Sequence, residues 1–316
     1  MRIQRIVLFA LLLCLMTSAL VALIMSAFAA APPEAIYVGS EKCLMCHQGM
    51  HEKIAAGWKT TRHARSFADV TKNPESIKAE FAADAPFSKD QIRHVLSGSG
   101  KLQAYVGEDM KSLPGKWNVA EKKWQKAASA DAKTQCVHCH VTGYNIADAS
   151  WVEPAVGCES CHGPGSAHSA TGDESKIVNP KKLPSDRKIM VCAQCHSHGT
   201  DPSKAHAFPV SFRPGDELSK AFILAPVAEG QLNQQYNEFI TSKHFAGGMQ
   251  CTTCHDPHGA GTTQSRQLVK AVNDLCMACH ASVKGMKEHA PEAPVGATCS
   301  TCHMPGGSHT FGKVKN

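Results

Sequence analysis

The chain has 316 residues, including 15 cysteines and 18 histidines, and carries a formal charge of +6. Aromatic residues make up only 6% of the chain, whereas 24 glycines and 17 prolines interrupt regular structure. This composition argues against a conventional aromatic core, and so mild a charge does not by itself indicate a nucleic-acid partner.

The first thirty residues have the layout of an export signal. Arg2 and Arg5 precede an apolar run from Ile6 to Phe28, and "AFA" at Ala27–Ala29 is a plausible cleavage site. Residues 1–29 are therefore predicted to be a cleaved signal peptide. The run from Ile6 to Ala31 is also long enough to span a bilayer, so a retained N-terminal anchor is the alternative. Either way the remaining chain is predicted to be periplasmic, cell-surface or extracellular.

All cysteines but Cys14, which lies in the apolar run, fall into seven copies of the pentapeptide C-x-x-C-H. The cysteine pairs are Cys43 and Cys46, Cys136 and Cys139, Cys158 and Cys161, Cys192 and Cys195, Cys251 and Cys254, Cys276 and Cys279, and Cys299 and Cys302. The histidines that follow them are His47, His140, His162, His196, His255, His280 and His303.

This pentapeptide is the attachment signature of c-type haem. Two thiols three residues apart can bond to the two vinyl groups of one porphyrin, and the next residue then lies under the iron as an axial ligand. A single pair would equally suit a zinc site or a redox disulfide. Seven pairs, each followed by histidine, instead predict seven covalently attached haems c.

Seven haems leave about 40 residues of exported chain for each one. This is too little protein for a conventional core around every haem, so the haems themselves are predicted to form the core. The expected fold class is a mainly α and irregular, haem-cored multihaem cytochrome c fold with a small β-hairpin region. Two propionates on each haem would offset the basic charge of the chain, which removes the argument for nucleic-acid binding.

In chain order, residues 30–198 are predicted to form a four-haem part. Within it, short helices are expected at residues 75–81 and 89–96, followed at 101–117 by a strand, a turn and a Pro-Gly turn. Residues 199–240 are interpreted as a Pro-rich connection leading into a helix, for which the pattern extends over 230–245. Residues 241–316 are predicted to form a three-haem part.

The segments "CVHCHVTGYN" from Cys136 and "WVEPAVGCESCHGPGSAH" from Trp151 resemble multihaem cytochromes related to cytochrome c-554 and hydroxylamine oxidoreductase. The resemblance covers roughly residues 40 to 200. It implies that His63 is a distal iron ligand. The small relatives carry four motifs, so the resemblance implies nothing about the arrangement beyond residue 200.

Eleven histidines lie outside the motifs, enough to give every iron a second imidazole. His258 follows His255 by only three residues and cannot reach the opposite face of the same porphyrin, so it is predicted to bind a neighbouring haem. The bend at 163–166 is expected to deliver His168 to an adjacent iron in the same way.

The other distal ligands are predicted from their closeness to a motif. His244, His289 and His309 each lie near one, and His206 is the predicted seventh ligand, with His94 and His198 as alternatives. His51 and His138 are interpreted as solvent-facing or bonded to propionates.

These patterns favour an electron-transfer protein without catalytic residues, whose partners are other redox proteins that donate and accept electrons. Bis-histidine ligation would set potentials below those of Met/His cytochromes. One alternative is an oxidoreductase of nitrogen or sulfur compounds with one open haem. Another is a conductive homopolymer in which His51 or His63 binds a haem of the next subunit.

Overall fold

The computed structural model describes residues 34–96, 102–231, 233–262, 265–283 and 286–312. The predicted signal or anchor segment, residues 1–29, lies outside these ranges. The chain divides after Ala35, and Ile36–Asn316 is one compact unit. Within the described ranges no helix is both long enough and apolar enough to cross a membrane.

The helices are short because glycine, proline or a cysteine motif interrupts the chain every few residues. In chain order they are α1 (Ser40–Met50), α2 (Glu52–Thr60), α3 (Ala132–Gln135), α4 (Glu159–His162), α5 (Ser166–Thr171), α6 (Ser185–Ala193), α7 (Gln235–Phe239), α8 (Lys243–Ala246), α9 (Cys251–Cys254), α10 (Val272–Met277), α11 (Met286–His289) and α12 (Cys299–His303). Single 3₁₀ turns join several of them, including the turn Val137–Cys139 in the second motif.

An antiparallel five-stranded sheet in the order β1-β2-β3-β4-β5 lies between the first and second motifs. Its strands are β1 (Phe67–Asp69), β2 (His94–Leu96), β3 (Leu102–Val106), β4 (Ser112–Asn118) and β5 (Lys123–Gln125). Two two-stranded ladders follow, formed by β6 (Val141–Thr142) with β7 (Glu153–Pro154), and by β8 (Gly199–Thr200) with β9 (Ile223–Leu224).

The two faces of the five-stranded sheet pack against different partners. On one face an aromatic core surrounds Tyr105, which is fully buried and lies opposite Val95 in the register. On the other face Phe67 and Leu96 pack with Val137 of the second motif. The sheet therefore has a protein core of its own and also positions the Cys136 motif, which the expectation of an entirely haem-built core did not foresee.

The two helices expected before the second motif were wrong. Residues 75–81 contain only the end of a 3₁₀ turn, Pro74–Ser76, and residues 89–96 divide into the 3₁₀ turn Lys89–Gln91 and strand β2. Strand β2 pairs with a neighbour on each side, and this burial between strands overrides the weak helical pattern. The helix expected over 230–245 is likewise broken into α7 and α8.

The Pro-Gly pair does not end a strand, because β4 runs through both residues. Gly115 has φ of 103° and lies in a bulge, since the pairing with β3 slips between Ala104 and Val106. A bulge is one of the few positions where a sheet accepts proline. The region is a sheet of five strands rather than a small hairpin.

Candidate haem-binding sites

Each motif lies on, or directly at the end of, a turn of helix. Residues three apart on such a turn lie on the same side, so both thiols of a motif can meet one planar ligand. The helices α1, α4, α9 and α12 show this most simply, because each holds most or all of one motif. All fourteen motif cysteines are free thiols, as two thioether bonds at each site require.

Six motif histidines each have the ring of a histidine from outside the motifs about 6 Å away, and one of them, His47, also stacks on His51. The facing rings and their centroid separations are His47 and His168 at 6.1 Å, His196 and His63 at 6.2 Å, His162 and His258 at 6.2 Å, His280 and His244 at 5.9 Å, His255 and His309 at 6.3 Å, and His303 and His289 at 6.1 Å.

This separation is what a single iron between two imidazoles requires. A metal–nitrogen bond is about 2 Å long, and the ring centre lies roughly 1 Å beyond the nitrogen, so the two centres should be about 6 Å apart. The separations fall between 5.9 and 6.3 Å. The residues present therefore fit a haem iron at each of these six sites.

Hydrogen bonds orient many of these rings so that Nε2 is left for a metal. The Nδ1–H of a ligand histidine is commonly held by a carbonyl, which fixes the tautomer. Here Nδ1 contacts a backbone carbonyl oxygen in His140 (Ser66, 3.0 Å), His162 (Val178, 2.8 Å), His168 (Asp173, 2.9 Å), His255 (Arg266, 2.9 Å), His303 (Gly312, 3.1 Å) and His309 (Gly307, 2.9 Å).

Burial disfavours the charged form of several of the site histidines, and the neutral imidazole is the form that binds a metal. Desolvation lowers the pKa of His196 to about 4. Burial is also the main cause of the lowered pKa values of His63, His140, His162, His258 and His309.

The facing histidines come from distant parts of the sequence. His258 faces His162 of the third motif rather than its own neighbour His255, and His168 faces His47 of the first motif. Gly163, with φ of 74°, turns the chain out of α4 and into the segment that carries His168. Each of the two rings thus lies opposite a motif other than the one that precedes it in sequence, and their binding to adjacent haems stays a prediction.

His140 of the second motif differs from the other six. All 18 histidines lie in the described ranges, and the ring contacts found there bring none of them to His140. Its ring is held by Ser66, whose hydroxyl also donates to the His140 carbonyl at 3.1 Å. The second motif thus has a proximal histidine without an imidazole opposite.

The histidines predicted or considered for that seventh position make contacts with residues other than His140. His206 has Nδ1 3.6 Å from a carboxylate oxygen of Asp201 and packs beside Phe208. His94 stacks on Phe67, and the backbone of His198 is bonded to Asn237.

The two histidines interpreted as non-ligands also have clear positions. His138 stacks on Phe208, with ring planes 5° apart, and burial lowers its pKa to about 4. His51 is exposed and stacks on His47 with ring centres 5.2 Å apart.

Contacts between thiols of different motifs order the sites in space. A thiol of another motif lies close enough to contribute to the raised pKa of four motif cysteines: Cys158 for Cys43, Cys139 for Cys195, Cys251 for Cys192, and Cys299 for Cys276. Cys161 likewise contributes to the raised pKa values of Cys192 and Cys195, and Cys279 to that of Cys254. These neighbours give the motifs the order first, third, fourth, fifth, sixth, seventh, with the second beside the fourth.

A buried carboxylate, not anticipated from the sequence, joins the first and third motifs. Glu159 lies inside the third motif with no exposed surface, and its oxygens accept hydrogen bonds from the backbone amides of Val38, Gly39 and Gly165. Three converging donors compensate the burial of the charge. The only hint in the sequence is an acidic residue between two motif cysteines.

Replacing Glu159 should loosen this end of the molecule. Glu159→Ala leaves three amide donors without their acceptor, and we expect it to lower the free energy of unfolding by about 3 kcal/mol or more. Thermal unfolding of the haem-loaded protein measures this loss. Glu174→Ala is the control, because that side chain is exposed and only meets Lys182 at the surface. Equal melting temperatures for the two variants would contradict the structural role of Glu159.

Comparison with known proteins agrees with this geometry. A doubled CXXCH motif family matches residues 243–285, and the family described as cytochrome c554 and c-prime matches residues 99–163. Multiheme cytochrome MtrA of Shewanella baltica is 29% identical over 216 residues, which are 56% of this chain and 65% of the relative. Cytochrome c-554 of Nitrosomonas europaea is 41% identical over 112 residues, 30% of this chain and 45% of the relative.

Two further similarities extend the comparison. Dissimilatory sulfite reductase MccA of Wolinella succinogenes is 25% identical over 58% of this chain and 29% of the relative. The crystal structure of the outer cell wall cytochrome OcwA has the same fold, with a TM-score of 0.71 and 22% identity over 87% of this chain and 79% of that one. The chain spans less than two thirds of the length of each of these three curated relatives.

The motifs, the fold and these matches define the chain as a multihaem c-type cytochrome with helices, irregular segments and small antiparallel sheets. The cytochrome c-554 part of the resemblance is supported by the family match. The hydroxylamine oxidoreductase grouping and the count of seven haems stay predictions.

Proposed function

We propose that this multihaem cytochrome is a seven-haem electron-transfer protein that acts outside the cytoplasmic membrane. The observation that carries the proposal is the set of six facing histidine pairs, each with the separation that one iron requires. A haem iron held between two imidazoles exchanges single electrons without binding a substrate.

In this proposal the fourteen motif cysteines hold the haems, and the histidines of each pair are the axial ligands. His63, His168, His244, His258, His289 and His309 serve as the distal ligands. The contacts between thiols of different motifs support closely packed haems, so that electrons move along the order first, third, fourth, fifth, sixth, seventh.

The proposed location and partners follow from the exported layout of the sequence and from the relatives. The name of OcwA places that protein in the outer cell wall, and we propose a periplasmic, cell-surface or extracellular location for this chain. Other redox proteins would donate and accept its electrons. Because six distal positions are served within the chain, a filament through inter-subunit ligation could use only the seventh, at His140.

The haem count has a direct test. Protein matured in a host with haem-attachment machinery should carry seven covalent haems, because every motif is complete and every motif thiol is free. Intact-mass measurement gives the number attached, and a Cys136→Ala/Cys139→Ala variant should carry one fewer. A mass matching six or fewer haems in fully matured wild-type protein would overturn the count.

A second candidate function is an oxidoreductase of nitrogen or sulfur compounds, favoured by the lone position of His140. A haem there would keep one open coordination position, which substrate chemistry at iron requires. The similarity to a dissimilatory sulfite reductase supports the same candidate. Carbon monoxide binding at this iron tests the open position that this candidate requires, and turnover of a nitrogen or sulfur compound would distinguish the candidate from electron transfer alone.

A further inference from the structure

A buried acid lies directly against the segment that carries His309. Glu238 lies on α7 and is 7% exposed. One carboxylate oxygen accepts a hydrogen bond from the backbone amide of His309 at 2.6 Å, and the other accepts one from the side-chain amide of Gln234 at 3.0 Å. Both oxygens of the side chain therefore receive a hydrogen-bond donor, as the acceptor-only oxygens of a carboxylate require.

Neither of these donors carries a positive charge, so neither of them neutralises the charge of the carboxylate. Surface acids differ in this respect, because Glu174, for example, pairs with the positively charged Lys182 in contact with water. A charge removed from water acts over several ångströms with much less screening than an exposed one. His309 faces His255 across the fifth site, so the field of Glu238 falls on the iron held there.

We propose that Glu238 lowers the potential of the fifth haem, the one held by Cys251 and Cys254, and so makes this haem harder to reduce. This inference rests on the proposed ligation of that iron by His255 and His309. A ferric bis-imidazole haem carries one positive charge in its core that the ferrous form lacks, so a nearby fixed anion stabilises the oxidised state.

The position of the fifth haem in the spatial order of the sites links the charge of Glu238 to electron transfer. Helix α7 also holds the fourth motif, because the amide of Tyr236 donates to the His196 carbonyl at 2.8 Å. Cys192 meets Cys251 at the same junction. Every electron that passes between the first four sites and the last three crosses the fifth, so Glu238 controls the step between the two groups.

A second charge near His309 has the opposite sign and provides a matched control. Burial is the largest cause of the lowered pKa of His309; Glu238 acts against this and raises that pKa, whereas Arg266 adds to the lowering. Arg266 is exposed, so water screens its guanidinium more strongly than the carboxylate of Glu238. Removing Arg266 should therefore move the same haem in the opposite direction and by less.

The test is a redox titration of the haem-loaded protein followed by its absorbance. In Glu238→Gln we expect the part of the absorbance change that comes from one haem to move to higher potential. At a fixed ambient potential, the ratio of reduced to oxidised fifth haem should rise about tenfold. The amide oxygen of glutamine can still accept from His309, so the low-spin signal in electron paramagnetic resonance should be unchanged. Arg266→Gln should move that share to lower potential, and Glu229→Gln, at an exposed position, should leave the curve in place.

A titration of Glu238→Gln that superimposes on the wild type, with its spectra intact, would overturn the proposal. Shifts of the same sign in the Glu238 and Arg266 variants would also overturn it. If Glu238→Gln does not mature, the pair Glu238→Asp and Glu238→Asn decides, since the two differ only in charge, and equal potentials would reject the inference. Failure of the underlying ligation is distinguishable, because the wild-type protein would then show an additional high-spin haem.

Discussion

We expect carbon monoxide to bind one haem per chain in the reduced protein, at the haem attached through Cys136 and Cys139. A ferrous iron with two imidazoles binds carbon monoxide poorly, whereas one with a vacant sixth position binds it readily. Six motif histidines face a second histidine and His140 does not. An optical titration at neutral pH against the known haem content gives the stoichiometry.

The same experiment in a His206→Ala variant tests the ligand that the sequence favoured. Because His206 lies beside Asp201 and Phe208, its removal should leave the stoichiometry at one. Absence of binding in the wild type combined with one bound ligand in the variant would make His206 the seventh ligand. His94→Ala and His198→Ala test the two alternatives in the same way. Carbon monoxide binding by the wild-type protein would show the open coordination position that the oxidoreductase candidate requires.

Replacing His258 should create a second open haem, at the third site. The ring of His258 faces His162 with ring centres 6.2 Å apart. His258→Ala therefore removes the proposed distal imidazole of the third haem and leaves the adjacent motif, Cys251–His255, unchanged. We expect two carbon monoxide molecules to bind per chain, and a new high-spin signal in the oxidised protein. All haems should stay attached, because the cysteines are unchanged.

His51→Ala is the matched control for this variant, since His51 is exposed and stacks on His47, whose ring already faces His168. It should bind the same amount of carbon monoxide as the wild type. If His258→Ala also leaves the stoichiometry unchanged, His258 is not a distal ligand. If the disturbed haem proves to be the one at Cys251, the proposed assignment to a neighbouring motif is wrong.

The attachment sites could be read from the sequence because they are local. A pentapeptide contains both thiols and the proximal histidine, and each motif lies on one turn of helix in the structure. The prediction that His168 and His258 face other motifs used only a steric limit on their immediate neighbours, and the structure gives them the partners His47 and His162.

The rest depends on contacts between distant segments, for which a single sequence carries little signal. Residues 89–96 have a helical pattern, but Val95 and Leu96 become strand residues because strands lie on both sides of them. The choice of His206 could not take account of its contacts in the fold, where Nδ1 lies 3.6 Å from a carboxylate oxygen of Asp201 and the ring packs beside Phe208. The roles of Glu159 and Glu238 could not be predicted from the sequence either, because amide groups that bind them lie far away along the chain.

The exchange of distal histidines between motifs bears on how the protein is made. In the proposed export of this chain, His47 would emerge before its partner His168, with two further motifs in between. His162 would likewise emerge before His258, whereas the early His63 would wait for the late His196. The haems proposed at the first and third motifs would therefore acquire their second imidazole only after later parts of the chain have emerged.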